Sequence, residues 1–410
     1  VIVGELSLDG YLRHVPGILP ITISVRDAGY KGLIVPKENA NEAALVDDIN
    51  IYPASNLEEV VNFLSGRISI ERHKCSIINS LMSEKQWDVD FSDVKGQAHV
   101  KRALEVAAAG GHNILMIGPP GSGKTMLARR MPGILPEMIM EEALETTKIY
   151  SVAGALHDGS HLVANRPFRA PHHTISDVAL IGGGTYPRPG EVSLAHNGVL
   201  FIDEIPELGK KGIESLRQPI EDGFVSISRA TYSVTYPASF MLVTAMNPCP
   251  CGFLTDPRHE CTCSPYTIQR YMAKISGPIL DRIDIHVEVP AVHYRDLVDE
   301  KNRGDTSKDI SKRVNRAREI QKDRFKNSRG IYSNARLMPR VIKQYCSIDS
   351  EGERIMRRAV DSFGFSARAY HRILKVARTI ADIEGEENIL ARHLSEAIQY
   401  RTLDRNLWMK

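Results

Sequence analysis

A chain of 410 residues with 42% hydrophobic and 25% charged residues has the composition of a globular protein, which excludes a disordered or fibrous chain. Its 52 basic and 50 acidic residues leave a net charge of +2, which by itself gives no support to nucleic-acid or membrane-surface binding. The basic charge is concentrated near the end, because residues 301–410 carry a net charge of +11 and the first 300 residues a net charge of −9.

The sequence contains no apolar run of about 18 residues and no secretory signal pattern. We therefore expect no membrane span and a cytoplasmic location. The chain starts without Met, and we expect it to begin inside a domain.

Five regions follow one another along the chain. Residues 1–66 alternate short apolar runs with helical patterns, which predicts a small α/β domain, and the mixed, charged residues 67–90 are interpreted as a linker. Residues 91–295 are predicted to form an α/β core with a parallel sheet flanked by helices. Residues 296–330 are a charged, helix-prone connector, and residues 331–410 have the periodicity of an all-helical lid.

The strongest signal is a glycine-rich loop between a predicted strand and a predicted helix. Its residues are Gly118, Pro119, Pro120, Gly121, Ser122, Gly123, Lys124 and Thr125. The pattern G-x-x-x-x-G-K-[ST] curls the backbone so that N–H groups point at phosphate oxygens. We therefore predict an ATP site in which Lys124 reaches the β- and γ-phosphates and the Thr125 hydroxyl is a ligand of Mg²⁺.

Two further apolar runs end in polar residues that suit ATP hydrolysis. The run Val199–Ile202 is followed by Asp203, predicted to hold Mg²⁺ through water, and by Glu204, predicted to polarise the attacking water as general base. The run 239–245 leads to Asn247, whose amide can sense the γ-phosphate.

Phosphoryl transfer also needs an arginine, and the candidates are Arg282, before an alternating apolar strand, and Arg368, at the start of a helix. Most arginines are surface ion-pair partners, and that alternative stays open for both. The adjacent His172 and His173 are interpreted as structural.

Four of the six cysteines fall within 15 positions: Cys249, Cys251, Cys261 and Cys263. Four closely spaced thiols in a reducing compartment favour a closed, structural Zn²⁺ site. The C-x-C spacing is tighter than the usual C-x₂-C, so four reduced thiols without a metal stay an alternative.

Together these motifs resemble the AAA+ ATPase core, and in particular the Mg-chelatase-like group that contains the ComM (YifB-like) competence proteins. The stretches that carry the likeness are GPPGSGKT, VLFIDE, AMNP, LDRID, RPFRAPHHTIS and LRQPIEDGFVSISRA, and the likeness extends over essentially the whole chain. It implies a hexameric ring. In that ring Arg282 is the arginine finger that reaches the neighbour's ATP, and Arg368 is the second sensor on the lid of the same subunit, with Arg372 and Arg378 as alternatives on its helix.

The resemblance also implies two hairpins that point into the central channel of the ring. The first falls within residues 164–184, with Arg166, Phe168 and Arg169, and the second lies near 224–237, with Arg229. Arginines interleaved with aromatic residues suit a DNA strand, although these aromatic residues can equally pack within the hairpins.

The first 66 residues are similar to the second half of the Lon proteolytic domain. The lysine of that family should fall within residues 16–23, which read PGILPITI and contain no Lys. Without an amine base a Ser–Lys mechanism cannot run, so we expect a non-proteolytic scaffold.

The resemblance therefore implies an ATP-hydrolysing ring motor acting on single-stranded or branched DNA, comparable to branch-migration helicases that serve recombination during natural transformation. Two alternatives are the motor subunit of a magnesium chelatase and a nucleotide-dependent regulator that does not translocate DNA.

Overall fold

The computed structural model describes residues 1–74, 89–156, 161–228, 233–292, 304–326 and 331–403, and the elements are numbered over these residues. The strands are β1 (Glu5–Leu6), β2 (Leu12–Arg13), β3 (Gly32–Pro36), β4 (Asn50–Ala54), β5 (Ile114–Ile117), β6 (Phe168–Arg169), β7 (Gly182–Gly183), β8 (Arg188–Pro189), β9 (Val199–Ile202), β10 (Phe224–Ser228), β11 (Ser233–Pro237), β12 (Met241–Met246) and β13 (Ile285–Glu288). The helices up to the core sheet's last strand are α1 (Ile18–Asp27), α2 (Ala40–Ala43), α3 (Leu57–Leu64), α4 (Ala98–Gly110), α5 (Lys124–Arg130), α6 (Met140–Ala153), α7 (Asp177–Ile181), α8 (Glu191–Leu194), α9 (Lys210–Ser215), α10 (Arg217–Asp222), α11 (Pro265–Met272) and α12 (Gly277–Leu280). The remaining helices are α13 (Ser307–Phe325), α14 (Pro339–Tyr345), α15 (Ser350–Phe363), α16 (Ala367–Glu384) and α17 (Ala391–Gln399).

The central sheet has five parallel strands in the order β13-β5-β12-β9-β6. Every residue of β5, β9 and β12 is buried, because these strands are continuous apolar runs covered on both faces. The helices that cover them include α4, which ends at Gly111 in the left-handed conformation. Since the strands are parallel, their carboxyl ends meet at one edge of the sheet and their amino ends at the other.

The N-terminal residues form a small α/β unit around the parallel pair β3 and β4. The Asn56 side chain starts α3 by accepting a hydrogen bond from the Glu59 amide at 2.8 Å. Helix α1 packs on α6 of the core, where Leu19 joins a buried cluster with Met138 and Ala143. The N-terminal unit is therefore docked on the core sheet's flanking helices.

Helices α13–α17 form the C-terminal part of the chain, and α16 packs on α4, α13 and α17. The Ser366 side chain caps α16, and the buried Asp382 near its end accepts a hydrogen bond from Arg324 at 2.8 Å. Of the helices described, none is both long and apolar enough to cross a membrane.

The predicted fold class is confirmed: the chain has a parallel α/β core with a helical C-terminal region. The second predicted hairpin is present as well, since β10 and β11 pair antiparallel from Phe224↔Pro237 to Ser228↔Ser233. Arg229, which was predicted to contact DNA, lies outside the described residues.

The prediction that Phe168 and Arg169 belong to the first channel hairpin is wrong. These residues form β6, the edge strand of the central sheet, which pairs parallel with β9, and the Phe168 ring stacks on Phe201 at 6.0 Å. An antiparallel hairpin of β7 and β8 does occur nearby, but it spans residues 182–189 and so extends beyond the predicted range of 164–184.

Candidate active site

The glycine-rich loop connects β5 to α5 at the carboxyl edge of the sheet. Gly121 and Gly123 have φ angles of +73° and +89°, which only glycine adopts without strain. A Cβ atom on Gly118 would lie 2.1 Å from the backbone oxygen of Val289, so this position also requires glycine. The glycine pattern is therefore explained by backbone geometry at three separate positions.

Lys124 is buried inside this loop. Its ammonium donates hydrogen bonds to the backbone oxygens of Gly118 at 2.7 Å and Pro119 at 2.9 Å, and to the Asn247 side-chain oxygen at 3.2 Å. Burial lowers the pKa of Lys124 to about 8, against the opposing influence of the Asp203 and Glu204 charges. The lysine thus lies where a loop of this type binds phosphate oxygens. It also contacts Asn247, which directly follows β12.

The carboxyl end of β9 brings two acidic residues to the same edge. The Thr125 hydroxyl donates a hydrogen bond to Asp203 at 2.6 Å. A hydroxyl beside a carboxylate is the oxygen donor set that Mg²⁺ prefers, so these two residues fit that ion. Glu204 has a φ of 49°, a left-handed conformation that is uncommon for a non-glycine residue and is found at functional sites.

His173 contacts the predicted general base, because its Nδ1 lies 3.6 Å from Oε2 of Glu204. The sequence predicts only a structural role for His172 and His173, and the proximity to Glu204 lies outside that prediction. The two rings lie 4.1 Å apart, and His172 also accepts a hydrogen bond from the Thr174 amide. The sequence signal was only the His-His pair in the loop after β6, which does not say which strand end that loop approaches.

Arg282 lies at the opposite, amino edge of the sheet, three residues before β13. It is buried, and its guanidinium is ion-paired with Glu221, with an Nε–Oε2 distance of 3.1 Å, and donates to the Pro278 backbone oxygen at 2.6 Å. The Glu221 side chain is 53% exposed, so the pair lies at the protein surface. The arginine and the P-loop of one chain are thus at opposite ends of the strands.

Arg368 occupies this same amino edge, which contradicts the expectation that it contacts the ATP of its own subunit. One turn along α16, Arg372 is ion-paired with Asp284, which directly precedes β13. The exposed Arg368 is close enough to Glu221 for its charge to lower the pKa of that carboxyl, after the larger effect of Arg282. The lid packs on the amino side of the sheet, and this packing separates Arg368 from the P-loop at the carboxyl side.

Two of the arginines predicted to contact DNA have partners within the chain. The largely buried Arg166 is ion-paired with Glu142 at 2.7 Å, and Arg169 with Glu191 at 2.6 Å. Together with the position of Phe168 in the sheet, these pairs favour the alternative of structural packing.

The described hairpins lie side by side. The Tyr236 hydroxyl on β11 donates a hydrogen bond to the Pro187 backbone oxygen between β7 and β8, at 2.8 Å. At the turn of the β7–β8 hairpin the Tyr186 side chain is 77% exposed, and Arg188 is exposed beside it. An aromatic and a cationic side chain are therefore presented together to solvent.

The four clustered cysteines come together in space, with all four sulfur atoms within 4.8 Å of one another. Cys249 Sγ lies 3.3 Å from Cys251 Sγ and 3.6 Å from Cys261 Sγ. Sulfur atoms at the corners of a tetrahedral zinc site lie about 3.8 Å apart, given Zn–S bonds of about 2.3 Å. Backbone hydrogen bonding from Phe253 lowers the pKa of the Cys251 thiol, whereas burial raises the pKa of the neighbouring Cys249 thiol. The donor set and its spacing therefore fit a thiophilic divalent cation.

Comparison with known proteins places this chain beside the magnesium chelatases and a competence protein. The family described as magnesium chelatase, subunit ChlI, matches residues 90–297, its C-terminal part matches residues 304–401, and a third profile for subunit ChlI matches residues 1–39. The competence protein ComM of Haemophilus influenzae is 47% identical over 410 residues, which are 99% of this chain and 78% of ComM.

Two other relatives add context. The protein YifB of Salmonella typhimurium is 44% identical over 406 residues, 99% of this chain and 78% of YifB. Lon protease 2 of Bacillus subtilis is 31% identical over 166 residues, 37% of this chain and 29% of the protease. The predicted likeness to the ComM (YifB-like) group is confirmed, and a weaker likeness to a Lon protease is found as well.

Proposed function

Because this chain belongs to the magnesium chelatase subunit ChlI family of AAA+ proteins, which implies ATP and Mg²⁺, we propose that it is an ATP-hydrolysing ring motor that acts on DNA. The observation that carries the ATPase part is the meeting of three strand ends. The P-loop after β5, Asp203 and Glu204 after β9, and Asn247 after the intervening strand β12 share one edge of the sheet.

Each residue of this edge has a distinct task. The loop amides and Lys124 hold the phosphates, and Thr125 and Asp203 hold Mg²⁺, which neutralises charge on the phosphate oxygens when it is bound. Glu204 accepts the proton of the attacking water, and Asn247, which already contacts Lys124, orients the γ-phosphate end.

The position of Arg282 and Arg368 at the amino edge of the sheet is the reason for proposing a ring. Four-residue strands separate Arg282 and Arg368 from their own P-loop by roughly 13 Å at about 3.3 Å per residue. In a head-to-tail ring of identical subunits two different faces meet, and we propose that one subunit's amino edge faces the next subunit's carboxyl edge. We therefore propose that both arginines act on the neighbour's ATP, and that the Glu221 carboxylate holds Arg282 until the neighbour is loaded. The number of six subunits comes from the resemblance.

DNA is the proposed substrate because one relative at 47% identity is a competence protein. The paired hairpins suit such a partner, since exposed Tyr186 and Arg188 offer base stacking and a phosphate contact. We propose these residues, in place of Arg166, Phe168 and Arg169, as the described part of the DNA contact.

We further propose that the four-cysteine cluster binds a Zn²⁺ ion and that the protein is cytoplasmic, where thiols stay reduced. We also propose that the chain divides into a Lon-like scaffold at 1–66, a linker at 67–90, an ATPase core at 91–295, a connector at 296–330 and a lid at 331–410.

The test is the rate of ATP hydrolysis without DNA and with single-stranded, duplex or branched DNA, at several salt concentrations. A DNA motor is stimulated by DNA, and the stimulation weakens steeply as salt rises, because phosphate contacts release counterions. Hydrolysis that no DNA stimulates favours the family's other activity, a chelatase motor subunit. ATP binding without hydrolysis favours a nucleotide-dependent regulator.

A further inference from the structure

The turn that begins the four-cysteine cluster lies directly on the P-loop. Residues 249–252 read Cys-Pro-Cys-Gly, and the Gly252 amide closes the turn by donating to the Cys249 backbone oxygen at 3.0 Å. A Cβ atom on Gly252 would lie 2.5 Å from Cδ and 2.7 Å from Cγ of Pro120. The backbone of this turn is therefore packed against the proline ring in the middle of the ATP-binding loop.

The same turn is tied to the ATP site from its other end. Cys249 follows Asn247 by two residues, and Asn247 accepts a hydrogen bond from Lys124 at 3.2 Å. The P-loop thus contacts this short segment twice, once through Lys124 at Asn247 and once through Pro120 at Gly252. A shift of the turn would move both contacts.

The cysteine cluster also brings the turn next to a second segment of the chain, the one that returns at Cys261. Of the four clustered cysteines, only Cys249 is buried, and the segment that returns to the cluster at Cys261 is largely exposed. Cys251 Sγ and Cys261 Sγ, ten residues apart in the chain, lie 3.6 Å from each other. A cation bound by all four sulfur atoms would join the turn to the segment before α11 and restrict its movement.

We propose that a thiophilic divalent cation held by Cys249, Cys251, Cys261 and Cys263 positions the Pro120 side of the P-loop and thereby sets the affinity for ATP. This inference rests on the proposed function, because it requires that the chain bind ATP. It assigns the cation a task in nucleotide binding, in addition to a structural one.

The direct test compares the zinc-loaded protein, the protein after removal of zinc by a chelator under reducing conditions, and the stripped protein reloaded with Zn²⁺. Metal analysis gives the zinc content, circular dichroism the fold, and a fluorescent ATP analogue the affinity. If removal of zinc leaves the P-loop correctly placed in one molecule in ten, the affinity for ATP falls about 10-fold, and reloading with Zn²⁺ restores it. Less than about half an equivalent of zinc in the purified protein overturns the proposal.

A variant that keeps all four thiols separates the contact from the metal. Gly252→Ala presses a methyl group against Pro120, so we expect unchanged zinc content and weaker ATP binding. Gly29→Ala is the matched control, because Gly29 has a similar φ of +82° and no atom within 4 Å of the added Cβ. Equal ATP affinity in Gly252→Ala and Gly29→Ala overturns the proposal even if stripping of the metal unfolds the chain.

Cys263→Ser removes a sulfur ligand and leaves the turn against Pro120 unaltered in sequence, so zinc content and ATP affinity should fall together. Cys346→Ala, which removes the lone buried cysteine of the helical part, should change neither. If the loaded wild type fails to bind ATP, the proposed function fails. If loaded and stripped proteins bind ATP equally while both stay folded, only the inference about the cation fails.

Discussion

His173 Nδ1 lies 3.6 Å from Glu204 Oε2, so the predicted general base is contacted by a residue from a different strand end. Glu204 is itself held in the left-handed region, with a φ of 49°. Because the loop after β6 supplies His173 and the loop after β9 supplies Glu204, the position of the carboxylate depends on how these two loops pack. The contact has the distance of an ion pair rather than of a hydrogen bond, and the Glu204 side chain is 48% exposed, so the proposed base stays accessible to a water molecule.

Replacing the base should separate ATP binding from hydrolysis. In Glu204→Gln we expect ATP to bind with near wild-type affinity and hydrolysis to fall by about 10²- to 10⁴-fold, since an amide cannot take a proton from water. Radiolabelled ATP retained after gel filtration and the steady-state rate measure the two quantities. Glu207→Gln is the matched control, because Glu207 lies three residues on and pairs with Lys274 at the surface. Normal turnover in Glu204→Gln would falsify its role as base.

Arg282→Ala should bind ATP and hardly hydrolyse it. Arginine fingers contribute about 10³- to 10⁵-fold to the rate, and we propose that Arg282 acts on the neighbour's ATP. Lys124→Ala should fail to bind ATP but keep its own Arg282. Mixing the two variants should restore part of the activity, because a Lys124→Ala subunit supplies the arginine to an Arg282→Ala neighbour that holds ATP. If the mixture hydrolyses no ATP at any mixing ratio, action between subunits is contradicted. Arg354→Ala is the control and should behave as wild type, because Arg354 belongs to an exposed ion pair.

The meeting of the candidate ATP-site residues at one edge was predictable from sequence because the motifs are local and the sheet is parallel. The P-loop is a continuous motif, and Asp203 and Asn247 each follow an apolar run. Parallel strands bring their carboxyl ends to one edge of the sheet. The proximity of residues that are distant in sequence can therefore be predicted without knowing any side-chain contact.

The misplaced residues depend on long-range packing that no local pattern encodes. Strand β6 has only Phe168 and Arg169, too few residues for an alternation to be visible, and its pairing with β9 decides its place. The side of the sheet on which Arg368 lies is set by docking of α16 through Arg372 and Asp284. The contact of His173 with Glu204 likewise joins two separate loops.

Tyr186→Ala should weaken DNA binding by about 5- to 100-fold, the range that loss of one base stack implies, and leave hydrolysis without DNA unchanged. Tyr186→Phe keeps the ring and should retain most of the affinity. DNA binding by fluorescence anisotropy and the DNA-stimulated ATPase rate check both. Tyr30→Ala removes another exposed tyrosine, from the N-terminal unit, and should have no effect. Equal DNA affinity of Tyr186→Ala and the wild type would rule out a stacking role for this hairpin.

Asp284 should make the free energy of unfolding depend on pH in the acid range. Burial of Asp284 favours its neutral form, but the Arg372 guanidinium and His112 outweigh burial and hold the pKa of the carboxyl well below its usual range. The contribution is therefore fully present above the unfolded pKa of about 3.9 and is lost as the pH falls below it toward the folded value.

In Asp284→Asn this part of the acid dependence should disappear, and stability at pH 7 should fall by about 3–5 kcal/mol, because Arg372 loses its buried partner. Urea unfolding at several pH values measures both effects. Asp27→Asn, which breaks an exposed pair with Arg26, should cost no more than about 1 kcal/mol. An unaltered acid profile in Asp284→Asn is incompatible with this account.

Gly118→Ala should damage the ATP site through the backbone alone. The added Cβ would lie 2.1 Å from the Val289 oxygen, and the Val289 amide in turn donates to the Ile117 oxygen at 2.7 Å, so neither strand end can yield without disturbing the sheet. We expect a loss of about 1–3 kcal/mol in stability, as for an overpacked core, and weaker ATP binding. Gly277→Ala is the control, since no atom lies within 4 Å of its added Cβ, and its stability should change by less than about 0.5 kcal/mol. If the two variants have the same unfolding temperature and the same affinity for ATP, the start of the P-loop is not held by the contact between Gly118 and Val289.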